Sequence, residues 1–210
     1  MTRLGFLIAR TFRQEAPLAA MSLPLDQVLS QFIGTIALVG NARSLAATGY
    51  GAEIDAATQV IRINRAPMPK PQSHGTRTDA LALATRIDAA TLARLNPRLI
   101  LWMSPKRKRL PWTVASHPGF VLPPLADFKR LKTVLNAPPT TGLLMIDLLS
   151  RSPATRITLF GFDFFATASL TGSRTAAEVP HDFGAERRLV EALMARDPRF
   201  DLRAASAFAE

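Results

Sequence analysis

Residues 35–40, with the sequence TIALVG, decide the fold class of this chain of 210 residues. They form a continuous apolar run, rich in β-branched side chains, that ends in glycine. Such a run is typical of a strand buried on both faces of a parallel sheet. Similar runs recur at residues 59–64, 80–85, 98–103 and 156–160. Helical patterns lie between several of them, and this alternation predicts an α/β fold with a mostly parallel sheet and flanking helices.

Apolar residues at helical spacing predict the flanking helices. In residues 182–196, for example, Phe183, Val190 and Leu193 lie on one helical face. We expect one domain over residues 1–210, whose first 30 residues form an N-terminal helical extension. The other predicted helices lie at residues 4–14, 24–31, 88–95 and 141–149, and a last short strand is predicted at residues 200–204.

Composition restricts the classes of function. The chain has no cysteine, which excludes disulfides, Cys-ligated zinc, iron–sulfur clusters and thiol nucleophiles. Its 26 Lys and Arg residues exceed its 16 Asp and Glu residues, and the net charge of +10 favours anionic partners such as nucleotides, nucleic acid, acidic sugars or anionic lipid. No apolar run approaches the roughly 18 residues of a membrane span. We therefore expect a cytoplasmic protein. Peripheral contact with an anionic membrane is an alternative that the sequence leaves open.

Parallel sheets bind ligands at the carboxyl ends of their strands, so the loops after Gly40, Asn64, Met103 and Gly161 are the candidate binding loops. Glycine at a strand end lets a ligand approach the backbone closely. Asn41 offers a donor and an acceptor to a base or a ribose. The alternatives are an ordinary strand-to-turn junction at residues 40 and 41 and a turn role for Asn64. Neither a dinucleotide fingerprint nor a P-loop motif is present.

Thr140, Thr141 and Gly142 precede an apolar helix pattern. Hydroxyl groups and unpaired backbone N–H groups at a helix N-terminus can bind an anion. The alternative is simple capping of the helix by Thr141.

His181 lies just before another predicted helix, for which Asp182 is a candidate N-cap. An imidazole beside a helix N-terminus should stay neutral, which is the state that a general base needs. Glu186 lies in the first turn of that helix, where the helix dipole favours a carboxylate. A purely structural role for the histidine is the alternative.

Taken together, these segments resemble the sialylmotifs of family 29 glycosyltransferases, the sialyltransferases of animal type. The resemblance extends over about residues 35–193 and rests on the order and spacing of several short motifs. The matching stretches are residues 36–41, 51–55 and 60–67 for the large motif, HGTRTD at 74–79 after it, residues 139–142 and 160–162 for the small motif, and His181 with Glu186 for the very small motif.

The resemblance implies a Rossmann-like, GT-A-type variant of the fold. It also implies inverting transfer of sialic acid from CMP-sialic acid to a glycan hydroxyl, with neither a cofactor nor a metal. Asn41 and Asn64 would hold CMP, and the start of the helix after residue 140 would contact the donor's phosphate or carboxylate. The residues assigned to substrate binding are Gly40, Asn41, Asn64, Thr140, Thr141, Gly142 and Gly161.

On the acceptor side, the resemblance makes His181 the group that takes the proton from the attacking hydroxyl. Glu186 would support its helix rather than take part in the chemistry. The chain departs from the family at the two motif cysteines, which would fall near Ile36 and Ala154, and in lacking an evident third motif between Phe165 and Pro180.

Three alternatives remain open on the sequence. The donor could be another CMP-linked keto-sugar acid such as CMP-Kdo, because it shares the phosphate and the carboxylate. The chain could also be a non-catalytic module that binds CMP or nucleic acid, although it has 7% aromatic residues and no nucleic-acid-binding signature. The basic stretch Lys106–Arg109 could be a solvated loop or a contact for anionic lipid or an acidic glycolipid acceptor. Arg62, if it points off the sheet, could be a plain solvated charge.

Overall fold

Seven parallel strands form one sheet in the computed structural model, which describes residues 1–164 and 180–203. The sheet order is β5-β4-β3-β2-β1-β6-β7, so the direction in which strands are added reverses between β1 and β6. The predicted α/β fold with a Rossmann-like parallel sheet is confirmed. The strands are β1 (Thr35–Val39), β2 (Gln59–Ile63), β3 (Ala80–Leu83), β4 (Leu99–Trp102), β5 (Phe120–Val121), β6 (Arg156–Phe160) and β7 (Phe200–Arg203).

Helices cover both faces of this sheet. Along β1, Leu38 packs toward one face and Ala37 and Val39 toward the other, as the strand period of two requires. Helices α3, α8, α9 and α10 contribute side chains to the first face, and α1, α2, α4 and α7 to the second. The helices are α1 (Arg3–Thr11), α2 (Glu15–Ala19), α3 (Leu25–Leu29), α4 (Gly51–Ala56), α5 (Pro71–His74), α6 (Ala89–Leu95), α7 (Trp112–Ala115), α8 (Leu125–Leu135), α9 (Thr141–Ser150) and α10 (Phe183–Arg196).

The first predicted helix is shorter than expected. It ends at Thr11 rather than near residue 14, because Phe12 caps it and Arg13 has a φ of 56°, in the left-handed region. Strand β5 and helix α8 were not predicted. Strand β5 has only two residues. In α8, five of the eleven residues are charged or polar, which dilutes the apolar pattern.

Arg62 decides a question that the sequence left open. It is not a solvated charge, because only 1% of it is exposed. Its guanidinium donates hydrogen bonds to the carbonyls of His74 (2.8 Å) and Arg77 (2.7 Å) and to the hydroxyl of Thr78 (3.2 Å). Burial lowers the pKa of Arg62 to about 10, so the side chain stays cationic at neutral pH. The arginine side chain therefore holds residues 74–78, which precede β3, against β2 by hydrogen bonds.

Asp55 holds the same segment from α4. Its carboxylate accepts hydrogen bonds from the N–H groups of Thr76 and Arg77 and from the Thr76 hydroxyl. Burial by itself would raise the pKa of Asp55, but these hydrogen bonds lower it below its ordinary value. Residues 51–55 of the large motif and the stretch 74–79 that follows this motif thus form a single hydrogen-bonded unit.

Candidate functional site

The carboxyl ends of β1 and β6 meet at the point where the strand order reverses, and ligands of open α/β sheets bind in the crevice at this point. The Gly40 N–H donates to the Phe160 carbonyl (2.7 Å), and the Ala42 N–H donates to the Gly161 carbonyl (3.2 Å). A Cβ atom on Gly40 would collide with the Gly161 carbonyl oxygen. Two of the three glycines that the resemblance assigns to substrate binding, Gly40 and Gly161, therefore lie against each other, and the absence of side chains lets the two strand ends approach.

Asn41 and Asn64 connect neighbouring strand ends. The Asn41 Nδ2 donates to the Ile63 carbonyl (3.0 Å), and the Asn64 Oδ1 accepts from the Ala84 N–H (2.9 Å). Asn64 has a φ of 55°, so it does occupy a turn position that favours asparagine. Within the described ranges, the Asn41 Oδ1 and the Asn64 Nδ2 make no hydrogen bond. Both residues are half-buried, and their contact with CMP stays a prediction.

The N-terminus of α9 is capped by Thr140, not by Thr141. The Thr140 hydroxyl accepts a hydrogen bond from the Leu143 N–H (3.1 Å). The N–H groups of Thr141 and Gly142, in the first turn, have no acceptor in the part of the chain that the structure describes. They carry the partial positive charge of the helix N-terminus. Both can therefore donate to an anion.

Phe162 links this helix start to the switch point. A Cβ atom on Gly142 would lie 2.7 Å from the Phe162 ring, and one on Gly40 would lie 3.2 Å from it. The ring is half-buried and packs against both glycines. Glycine at position 142 is thus required by the aromatic residue, which explains two positions of the small motif by one contact.

Glu186 binds Thr140 through both carboxylate oxygens. The Thr140 N–H donates to Oε1 (2.6 Å) and the Thr140 hydroxyl lies 2.7 Å from Oε2. Glu186 is only 3% exposed, and this burial raises its pKa to about 7. The side chain joins the first turn of α10 to the residue that caps α9.

A Glu186→Gln variant is expected to remove part of the pH dependence of stability. The folded-state pKa of about 7 lies above the ordinary value of 4.5, so the wild type loses stability as pH rises from 4.5 to 7. The loss amounts to about 3 kcal/mol for this shift. Glutamine cannot ionise, so the variant should lack this loss when unfolding by urea is measured across that pH range.

The exposed Glu191, in the same helix, gives a matched control. A Glu191→Gln variant should keep the wild-type pH profile. The buried His74, whose pKa is lowered by burial, is common to all three proteins and cancels in the comparison. A Glu186→Gln profile parallel to that of wild type would contradict the assignment.

His181 is held by a backbone carbonyl. Its Nδ1 lies 2.7 Å from the Pro138 carbonyl oxygen, and its ring lies 5.9 Å from the ring of Phe183. A carbonyl can only accept, so Nδ1 is the donor in this contact, and in the neutral ring Nε2 presents the lone pair. Nε2 has no partner among the residues with described positions. The imidazole is therefore oriented and in the tautomer that accepts a proton at Nε2.

These contacts bring several predicted residues together. Pro138 and Thr140, in the stretch that leads into α9, hold His181 and Glu186 of the α10 region. The sequence could not indicate Pro138, because it acts through its backbone carbonyl and any residue type supplies one. Within residues 1–164 and 180–203, no three His, Asp or Glu side chains form a group that could hold a metal ion. The third motif sought between Phe165 and Pro180 lies outside the described residues except at Pro180.

Comparison with known proteins identifies similar sequences and folds. The family model for glycosyltransferase family 29 (sialyltransferase) matches residues 9–86, a segment that includes β1, β2, β3 and both asparagines. The resemblance to family 29 is confirmed. No curated protein matches the chain. The family 29 match ends before Thr140, His181 and Glu186. This part of the chain can be compared with known proteins only through the overall fold.

Solved sialyltransferase structures share the fold. A mammalian sialyltransferase in complex with Gal-beta-1-3GalNAc-ortho-nitrophenol is 17% identical, with a TM-score of 0.57 over 85% of this chain and 78% of that chain. CstII from Campylobacter jejuni, in complex with the substrate analogue cytidine-5'-monophosphate, is 15% identical, with a TM-score of 0.57 over 83% of this chain and 81% of that one. CstII in complex with CMP-3FNeuAc is 16% identical, with a TM-score of 0.55. The chain thus has the same fold as these sialyltransferases.

Proposed function

We propose that this protein transfers sialic acid from CMP-sialic acid to a glycan hydroxyl with inversion at the anomeric carbon, and that His181 is the general base. One observation carries the proposal: the Pro138 carbonyl holds Nδ1 of His181 and leaves Nε2 free to accept a proton. Pro138 is two residues before Thr140, the N-cap of α9, so the imidazole is attached close to this helix N-terminus. The CMP complexes and the acceptor complex of the structurally similar sialyltransferases support the choice of substrates.

In this mechanism the acceptor oxygen attacks the anomeric carbon while Nε2 of His181 takes its proton. The bond between that carbon and the CMP phosphate oxygen breaks, and its electron pair goes to the phosphate. The N–H groups of Thr141 and Gly142 stabilise the negative charge of the departing CMP. A single displacement inverts the configuration. The α9 N-terminus supplies the stabilisation that a divalent ion would otherwise give, and we propose a reaction without metal or cofactor.

The first experiment measures CMP release from CMP-Neu5Ac by the purified protein, with and without a glycolipid extract of the host. Release that requires the acceptor supports the proposal. A parallel assay with CMP-Kdo tests the other keto-sugar donor, whose turnover in place of CMP-Neu5Ac would change the donor assignment. Calorimetric titration measures the binding of CMP, with AMP as the control nucleotide. Binding of CMP without CMP release would identify a degenerate binder rather than a catalyst. No CMP binding would overturn the proposal.

We also propose a cytoplasmic location, because a chain without cysteine suits a reducing compartment. Immunoblots of cytoplasmic, membrane and extracytoplasmic fractions would test this. Recovery only from an extracytoplasmic fraction would contradict it. The proposed partners are a nucleotide-sugar donor and a glycan or glycolipid acceptor.

A further inference from the structure

Helix α1 presents an apolar side to solvent. Seven large apolar side chains are exposed in the part of the chain that the structure describes, and five of them lie in the first twelve residues. Leu4 is 69% exposed and Ile8 46% exposed, whereas Phe6 and Ala9 on the other side of the helix are buried in the core. Isolated exposed apolar residues are ordinary, but a cluster of this kind marks an interaction surface. The five residues are Met1, Leu4, Leu7, Ile8 and Phe12.

This apolar side is fixed in place by the rest of the molecule. Phe6 packs on Trp112, with ring centroids 5.3 Å apart, and Arg10 donates to the Leu110 carbonyl (3.1 Å). The guanidinium carbon of Arg10 also lies 5.6 Å from the centre of the Phe6 ring. Described residues thus pack against the side of α1 that carries Phe6, and the side that carries Leu4 and Ile8 is exposed.

The same contacts place α1 beside a basic turn. Arg107 is the buried member of the stretch Lys106–Arg109: it is 3% exposed and pairs with Glu15 of α2 at 2.9 Å. Lys106, Lys108 and Arg109 are exposed and form no ion pair with any described residue. The stretch is therefore neither a wholly solvated loop nor a uniform basic surface. One arginine anchors it, and its three other cations are exposed to solvent.

The charge of this region has one sign. Residues 1–13 and 104–112 contain seven basic residues and no acidic one. Glu15, just outside, is engaged by Arg107. Apolar side chains bordered by unpaired cations match the boundary of a bilayer, where acyl chains meet anionic head groups.

We propose that α1 and the turn at Lys106–Arg109 form a docking surface for an anionic lipid bilayer. The apolar side of α1 enters the boundary between head groups and acyl chains, and the three exposed cations of the turn contact the head groups. A second copy of this chain fits less well, because a self-complementary contact would bring these cations toward one another. The contact is peripheral, since no described helix is long and apolar enough to cross a membrane.

Docking at this surface would bring the candidate site near the bilayer. The basic turn follows β4, and all the strands are parallel, so it lies at the same edge of the sheet as Gly40 and Gly161. Three strand spacings of about 4.8 Å separate β4 from β1, about 14 Å in all. If the proposed transferase function holds, the acceptor class that this arrangement favours is a glycolipid embedded in the same membrane.

Vesicle sedimentation with the full chain tests the docking surface. Vesicles of phosphatidylcholine alone are compared with vesicles in which about a third of the lipid is phosphatidylglycerol, at low and high salt. We expect binding to the anionic vesicles that is about tenfold or more stronger than to the neutral ones and that weakens with salt. Donor and acceptor are absent, so the result is independent of transferase activity.

Two variants remove the two halves of the surface. Leu4→Ser with Ile8→Ser removes apolar area, and the triple change of Lys106, Lys108 and Arg109 to serine removes the cations. Each should lower vesicle binding about tenfold or more while the far-ultraviolet circular dichroism and melting temperature stay near wild type.

Helix α8 offers a matched control, because it also exposes one large apolar residue and two lysines. Val134→Ser combined with Lys129→Ser and Lys132→Ser should leave vesicle binding unchanged. Equal loss in this control, or unchanged binding in either docking variant, would overturn the proposal. A wild-type dimer that becomes monomeric on Leu4→Ser and Ile8→Ser, with no vesicle binding, would instead make this side an interface between copies.

Discussion

A His181→Ala variant is expected to lose acceptor-dependent transfer by about a hundredfold to ten-thousandfold, the usual contribution of general-base catalysis. Without the imidazole, no group at Nε2 takes the proton as the acceptor oxygen attacks. The affinity for CMP should stay close to that of wild type, because Thr141 and Gly142 are unaltered. The measurement pairs initial rates of CMP release with calorimetric binding of CMP.

Two further variants separate chemistry from structure. His181→Gln keeps a side-chain donor for the Pro138 carbonyl but cannot accept the proton, so it should be as inactive as the alanine variant. His117→Ala changes a half-buried histidine whose Nδ1 accepts a hydrogen bond from the Gly119 N–H, and it should retain activity. Equal CMP release by wild type and His181→Ala would remove this histidine from the role of base.

The largest effect on stability is expected for Arg62→Met. Methionine fills much of the same volume but leaves the carbonyls of His74 and Arg77 without the guanidinium that they bind. Each buried carbonyl left unpaired costs about 1–3 kcal/mol, so the free energy of unfolding should fall by about 2–6 kcal/mol. Urea unfolding followed by circular dichroism measures this difference.

Arg156 provides the control for a strand arginine at the surface. Its side chain is 54% exposed and pairs with Asp201, so Arg156→Met should cost less than about 1 kcal/mol. Arg62→Lys keeps the charge but loses the planar fork, and it should fall between the two. An Arg62→Met variant as stable as Arg156→Met would show that the hydrogen bonds to residues 74 and 77 contribute little.

The sequence predicted the fold well where the apolar pattern is strong. Strands such as β1 are buried on both faces, and their continuous apolar runs bounded by glycine have few other interpretations. Strand β5 escaped prediction because a two-residue strand carries no period. The burial of Arg62 could not be predicted from the sequence, because its hydrogen-bond acceptors lie in residues 74–78 and only the three-dimensional path of that segment brings them to the side chain.

The candidate site was predictable in its residue types and less so in their connections. Motif order indicated Thr140, His181 and Glu186, and the structure brings them to one place. Which threonine caps α9 and which atom holds the imidazole depend on backbone direction, and sequence patterns do not encode that. The carbonyl of Pro138 is the clearest case, since any residue at that position would supply the same acceptor.

The shared attachment of His181 and Glu186 to residues 138–140 has a consequence for the evolution of specificity. The proposed base and the helix start proposed to bind the anion are joined through three hydrogen bonds, which restrict changes in their separation. In the proposed reaction, only the distance between the attacking hydroxyl and the phosphate of the leaving CMP has to match this separation. On the proposed function, substitutions in the surrounding surface would change the acceptor while the hydrogen bonds between residues 138–140 and residues 181–186 stay the same.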